Sequence, residues 1–140
     1  MPKDMEKTVE YLSKTLELYD LVFDSFINGA IITDAEGIVT NLNEPYGRFL
    51  KINPKDYIGK HCTEVVENTR MHIVAQTGIP EINQTQMIGG QNIIVHRIPI
   101  KKEGKVIAVF GLVMFQDVKE ISRLAEKTSL LESKIKLYEQ

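Results

Sequence analysis

The chain has 140 residues, 43% of them hydrophobic and 26% charged, with a formal net charge of −2 and one cysteine. That is one ordinary domain, long enough to bury a core without staples. A lone Cys62 excludes an intrachain disulfide and a cysteine-based metal cluster, and the charge gives no general attraction for nucleic acid or anionic membrane.

The longest apolar run, Val106–Phe115, is too short to span a bilayer and reads as a buried strand. Met1–Glu10 is polar and carries acids, so it does not read as a signal peptide. A cytoplasmic protein without membrane contact is the expectation, and the single thiol fits a reducing compartment.

The first 28 residues form one amphipathic helix. Val9, Leu12, Leu16, Tyr19, Phe23 and Phe26 recur at alternating spacings of three and four, a heptad a/d stripe. No glycine or proline interrupts it from Lys3 to Asn28, and Gly29 is positioned as a left-handed cap. Residues 29–117 change character. Ala30–Asp34 and Ile38–Leu42 read as short strands around an Asp34-Ala35-Glu36-Gly37 turn. Short helical pieces follow. Asn43 can cap one starting near Pro45, Asn53-Pro54 a second, and Thr63–Val66 and Arg70–Gln76 read as two more, the last stopped by Gly78 and Pro80.

Strands then return as Glu81–Ile88, a Gly89-Gly90 turn, Gln91–Lys101, a Glu103-Gly104 turn and Val106–Gln116. The last is apolar on both faces, which predicts the central strand of a sheet covered on both sides. The short helices would cover one face, and the first helix is the natural cover for the other. Asp117 and Glu120 form a capping box. Beyond it Ile121, Leu124, Thr128, Leu131, Ile135 and Tyr138 make a second a/d stripe over residues 118–140. It stops in mid-pattern, so an output domain in cis beyond Gln140 is expected.

Two strands, short helices, three longer strands and a helix at each end is the order of a PAS domain, an α+β fold with a five-stranded antiparallel sheet. Gly29–Leu50 (GAIITDAEGIVTNLNEPYGRFL) resembles that family's opening hairpin and first helix. Tyr57–Val66 (YIGKHCTEVV) resembles its glycine-to-helix segment, and Val109–Ile121 (VFGLVMFQDVKEI) its last strand and signalling linker. More narrowly, Glu67–Ile82 and Ile93–Gly111 resemble the amino-terminal PAS domains of sigma-54-dependent transcription activators. In those proteins the domain precedes an AAA+ ATPase; this chain has no Walker motif of its own.

PAS ligands sit between helices and sheet, which directs attention to a few polar residues. Arg70 would begin a helix, and its forked donors suit a carboxylate or phosphate; otherwise it would pair with Glu64 or Glu67. His72 lies on the helix from which some PAS domains ligate haem. His96 and Arg97 are adjacent in a strand, so one faces the helices and the other does not; Gln84, Gln86 and Asn92 add hydrogen-bonding groups nearby. Cys62 stands where flavin-binding relatives carry a reactive thiol, but the residues that follow it there are replaced by Thr63-Glu64-Val65-Val66. His61 and a helix start beside Cys62 would favour thiolate. Neither haem nor flavin is expected.

No metal-ligand cluster, placed nucleophile or phosphate loop emerges, so no enzyme is expected. The leading expectation is the sensor domain of a sigma-54-dependent regulator. It would be a homodimer with a seam through Val9, Leu12, Leu16, Tyr19 and Phe23 and through Ile121, Leu124, Thr128, Leu131 and Ile135. It would take a small organic acid or other small molecule and use Asp117 and Glu120 as its signalling hinge. The alternatives are the sensor of a histidine kinase or cyclic-nucleotide enzyme, and a ligand-free docking module with a side-chain-filled interior.

Overall fold

The computed structural model describes residues 2–115. The hinge at Asp117 and Glu120, and the seam residues Ile121, Leu124, Thr128, Leu131 and Ile135, lie outside the described residues. Helix α1 (Pro2–Asp24) ends four residues before the predicted stop; the Ser25 amide bonds the Val22 carbonyl at 3.1 Å and the chain turns. Gly29 is not a left-handed cap but the first residue of strand β1 (Gly29–Asp34). A Cβ there would meet the Phe115 ring at 2.8 Å and the Tyr46 ring at 2.9 Å, so glycine serves close approach.

Strand β2 (Val39–Leu42) returns antiparallel to β1. The turn between them is built by Asp34, whose Oδ1 accepts the amides of Glu36 at 2.9 Å and Ile38 at 3.0 Å. Gly37 completes it at φ +87°. Helix α2 (Glu44–Leu50) begins at the predicted Asn43 cap, with Pro45 in its first turn. A 3₁₀ turn at Pro54–Asp56 begins at the Asn53 cap. Helix α3 (Cys62–Val65) starts one residue early because the His61 ring accepts the Thr63 amide as its cap. Helix α4 (Met71–Thr77) is stopped by Gly78 at φ +67°. Strands β3 (Glu81–Ile88), β4 (Gln91–Lys102) and β5 (Lys105–Met114) follow. Both of their two-residue turns have positive φ at each position, the pair of signs that matches strand twist.

The five strands form one antiparallel sheet in the order β2-β1-β5-β4-β3, with β5 central as its two-sided apolar pattern predicts. Its inner face carries Ile31, Val95, Val109 and Val113 against Tyr46, Cys62, Met71 and Val74 of the helices. Gly111 makes the approach possible, since a Cβ there would lie 2.9 Å from the Met71 sulfur.

The expected cover on the outer face is not α1. Val9, Leu12, Leu16 and Tyr19 are each more than half exposed, and Phe23 is only half-buried. On the outer face Ile98 and Ile100 are likewise exposed. A two-sided apolar strand pattern specifies that covers are needed, not which element supplies them, and among the described residues this stripe stays unpaired.

What holds α1 is its C-terminal end. Asn43, with no exposed surface, donates to the Phe23 carbonyl at 3.0 Å and the Asn28 carbonyl at 3.1 Å. Its Oδ1 accepts the amides of Ala30 at 2.9 Å and Tyr46 at 3.1 Å. Asp24 adds a bond to the Glu44 amide. Asn43→Ala strands these buried backbone groups and is expected to lower the unfolding free energy by about 3 kcal/mol. Urea denaturation followed by circular dichroism measures it. A loss well under ~1 kcal/mol would show that water replaces the amide at no cost.

Candidate functional site

Arg97 and His96 point to opposite faces, and register decides between them. Arg97 is opposite Gly111 and so lies on the helix side, whereas His96 is opposite Leu112 on the outer side. His96 Nδ1 accepts the Asn83 amide at 3.1 Å and closes the irregularity in β3. Asn92 shares the outer face and is exposed beside the β3–β4 turn, so neither it nor His96 offers its side chain to the interior.

Arg97 is only 3% exposed. A buried guanidinium needs charge and acceptors, and two residues supply them. Glu81 Oε1 accepts from Nη1 at 2.8 Å and Gln86 Oε1 from Nη2 at 2.6 Å. Gln86 is held in turn by donating to the Glu67 carbonyl at 2.8 Å. Glu81 also takes a forked pair from Arg70, Nε at 3.0 Å and Nη2 at 2.9 Å. Arg70 is therefore paired, with Glu81 and not with Glu64 or Glu67. It sits at the start of α4 without capping it, with half its side chain in solvent.

Two guanidinium groups share one carboxylate, so the cluster carries a net positive charge. Hydrogen bonds from Arg70, then the charges of Arg70 and Arg97, hold the Glu81 carboxyl below its ordinary range despite partial burial. Burial pushes the Tyr46 hydroxyl upward, and the Arg97 charge opposes it. Tyr46, Gln86, Arg97 and Thr69 join Ile31, Val66, Met71 and Val95 around an interior cavity of about 10 Å³, room for roughly one water.

His72 does not line that cavity. Its Nδ1 lies 3.6 Å from the Cys62 sulfur, and its ring meets that of His61 edge-on at 5.4 Å. Desolvation lowers the His72 pKa, and the charges of His61 and Arg70 add to the effect. Cys62 is fully buried, and desolvation raises its pKa, the opposite of the thiolate-favouring surroundings inferred from His61 and the helix start. Among the described residues no group of three or more His, Cys, Asp or Glu could hold a metal ion. No helix among them is long and apolar enough to cross a membrane.

The model of the PAS fold matches residues 17–114. The chain belongs to the PAS family. This PAS domain is 27% identical over 120 residues to the sensor protein CitS of Halalkalibacterium halodurans, covering 84% of this chain and 22% of that protein. It is 30% identical over 105 residues to a probable C4-dicarboxylate sensor kinase of Bacillus subtilis, covering 75% and 19% respectively. The chain thus spans about a fifth of the length of the curated relatives it matches. Among solved structures it resembles the Escherichia coli DhaR(N)–DhaL complex (TM-score 0.65, 14% identity, 79% of this chain and 38% of that one). It also resembles the PAS domain of Bordetella pertussis BvgS (TM-score 0.57, 20% identity, 86% and 97%). These structural likenesses speak to the fold.

Of the residues singled out in the sequence, Arg70 and Arg97 come together, and Glu81 is the partner that sequence reasoning missed. Glu81→Gln leaves Arg97 buried without a counter-charge and is expected to cost about 3 kcal/mol at neutral pH. Because the Glu81 carboxyl is depressed in the fold, its contribution is present above the unfolded value of about 4.3 and is lost as pH falls through the folded value. The variant should therefore show a shallower acid limb over that window. Arg70→Ala, at the exposed end, should barely move the melting temperature. Scanning calorimetry at neutral pH and below pH 4.3 reads all three effects; equal losses for Glu81→Gln and Arg70→Ala would contradict this ranking.

Proposed function

We propose that this chain is the cytoplasmic PAS sensor module of a sensor histidine kinase, a homodimer through its flanking segments that relays a signal by repacking and catalyses nothing itself. The observation that carries the reading is that the relatives similar over three quarters or more of this chain are named as a sensor protein, CitS, and as two probable C4-dicarboxylate sensor kinases. Two of these names carry C4-dicarboxylates, and that class is taken as the signal of the whole protein. The sigma-54 activator reading draws no support from these relatives, and this PAS domain is read with a kinase as its output.

The side-chain-filled interior supports a relay over a receiver. About 10 Å³ holds one water and excludes a carboxylate. A receiver reading has one observation in its favour, the two guanidinium groups on a single carboxylate. An opened domain could hand Arg97 a ligand carboxylate in place of Glu81.

Three measurements test the proposal. The intact protein should autophosphorylate on histidine, and an ATPase that remodels polymerase would overturn the kinase reading. Thermal-shift titration of the 140-residue chain with succinate, fumarate and citrate should leave its melting temperature unchanged. A saturable rise would overturn the relay role in favour of the receiver. Light scattering should give a dimer that Leu131→Asp weakens, since the charge enters an apolar seam; a monomer at tens of micromolar, as a rough working scale, would remove the dimer.

A further inference from the structure

A larger hollow than the interior cavity opens where the C-terminal end of α2, the end of α3 and the β3–β4 turn converge. This groove of about 510 Å³ is lined by Phe49, Leu50, Val65 and Ile88, with Lys51 and Glu67 among its polar residues. Its walls are tied together. The Glu67 carboxylate accepts the Gly89 amide, Asn68 donates to the Met87 carbonyl at 2.9 Å, and Gln86 donates to the Glu67 carbonyl at 2.8 Å. Three separate bonds hold the helix layer to the turn, so the groove does not depend on an occupant for its shape.

The chain leaves the sheet at the mouth of this groove. The ring of Phe115, the last described residue, packs on the Phe49 ring at a centroid distance of 4.9 Å, and Phe49 is itself a groove wall. Residues 116–140 continue from there. In their first stretch Val118, Ile121 and Leu124 are apolar at spacings of three, Asp117 and Glu120 stand immediately before the first two of them, and Lys119 and Arg123 balance those acids. The groove offers an apolar lining for the first set and the Lys51 ammonium for the two acids, with the Glu67 carboxylate also in its wall. We propose that the groove is the docking site, in cis, for the segment Asp117–Leu124 of this same chain. Val118 and Ile121 enter the Phe49–Leu50–Val65–Ile88 lining, and the acids lie toward Lys51. The segment that leads to the output is then held by the helix layer as well as by β5, so displacement of α2 or of the β3–β4 turn reaches it directly. The inference does not rest on the histidine-kinase reading.

Disulfide trapping tests it on the full chain with Cys62→Ala as background. Gln91 lines the groove, and Ser122 is a polar position within the segment. The pair Gln91→Cys and Ser122→Cys should oxidise to an intramolecular bridge at least tenfold faster than Asn41→Cys with Ser122→Cys, Asn41 being exposed on edge strand β2. Adding Lys51→Glu should slow the first pair several-fold and leave the second and the melting temperature unchanged. That is a response to charge which tethering alone does not produce. Equal rates for the two pairs, indifference to Lys51→Glu, or a covalent dimer in place of the intramolecular bridge would each overturn the proposal, the last by giving the groove to a second copy.

Discussion

The Asn43 carboxamide spends both donors and its acceptor oxygen on backbone groups from four places in the chain: the end of α1, the loop before β1, the start of β1 and the first turn of α2. Each of those groups is a terminus that regular structure leaves unpaired. One short side chain with two donors and two acceptor sites satisfies them together. That requirement fixes the β2–α2 junction against the α1–β1 junction. It is why α1 is anchored at one end although its apolar stripe finds no partner among the described residues. It also places Tyr46 under Gly29, where the two rings of Tyr46 and Phe115 occupy the space a side chain would need.

The sheet distributes polarity in an unusual way. Its helix side is mostly apolar but contains one guanidinium, and the burial of that charge is tolerated only because Glu81 and Gln86 meet it from the neighbouring strand. Its outer side is apolar and half open. A domain that keeps a charge inside and isoleucines outside is compact without being self-sufficient. The inner arrangement gives the core one preferred packing, and the outer one leaves surface for association.

Turn chemistry and periodicity made most of the fold legible. Asp34, Asn43, Asn53 and the glycine turns do locally what their residue types do in isolated motifs, so they could be placed from neighbours in the sequence alone. What could not be placed depends on register. Glu81 meets Arg97 across an irregular stretch of β3, and no period-of-two reading of Glu81–Ile88 predicts the offset that the shift after Glu81 introduces. For the same reason the choice between His96 and Arg97 awaited the pairing of β4 with β5. The end of α1 was misplaced because glycine has two uses, left-handed backbone and close approach, and only the position of the Tyr46 and Phe115 rings shows which one Gly29 serves.

The pairing of Gly29 with Val113 has a mechanical meaning. β1 and β5 are neighbours running in opposite directions, so the chain enters and leaves the sheet at the same end, about one strand spacing of ~4.8 Å apart. The whole domain is a loop hung on a nearly continuous thread. A rod of chain can be cut at that point and receive this domain with little sideways offset between its two halves. Torque or sliding in the incoming half needs to cross only one strand pair to reach the outgoing half. The rest of the fold then acts as a weight on that joint, biasing it toward one setting or another, and such a unit can be inserted into different signalling chains without redesigning either side.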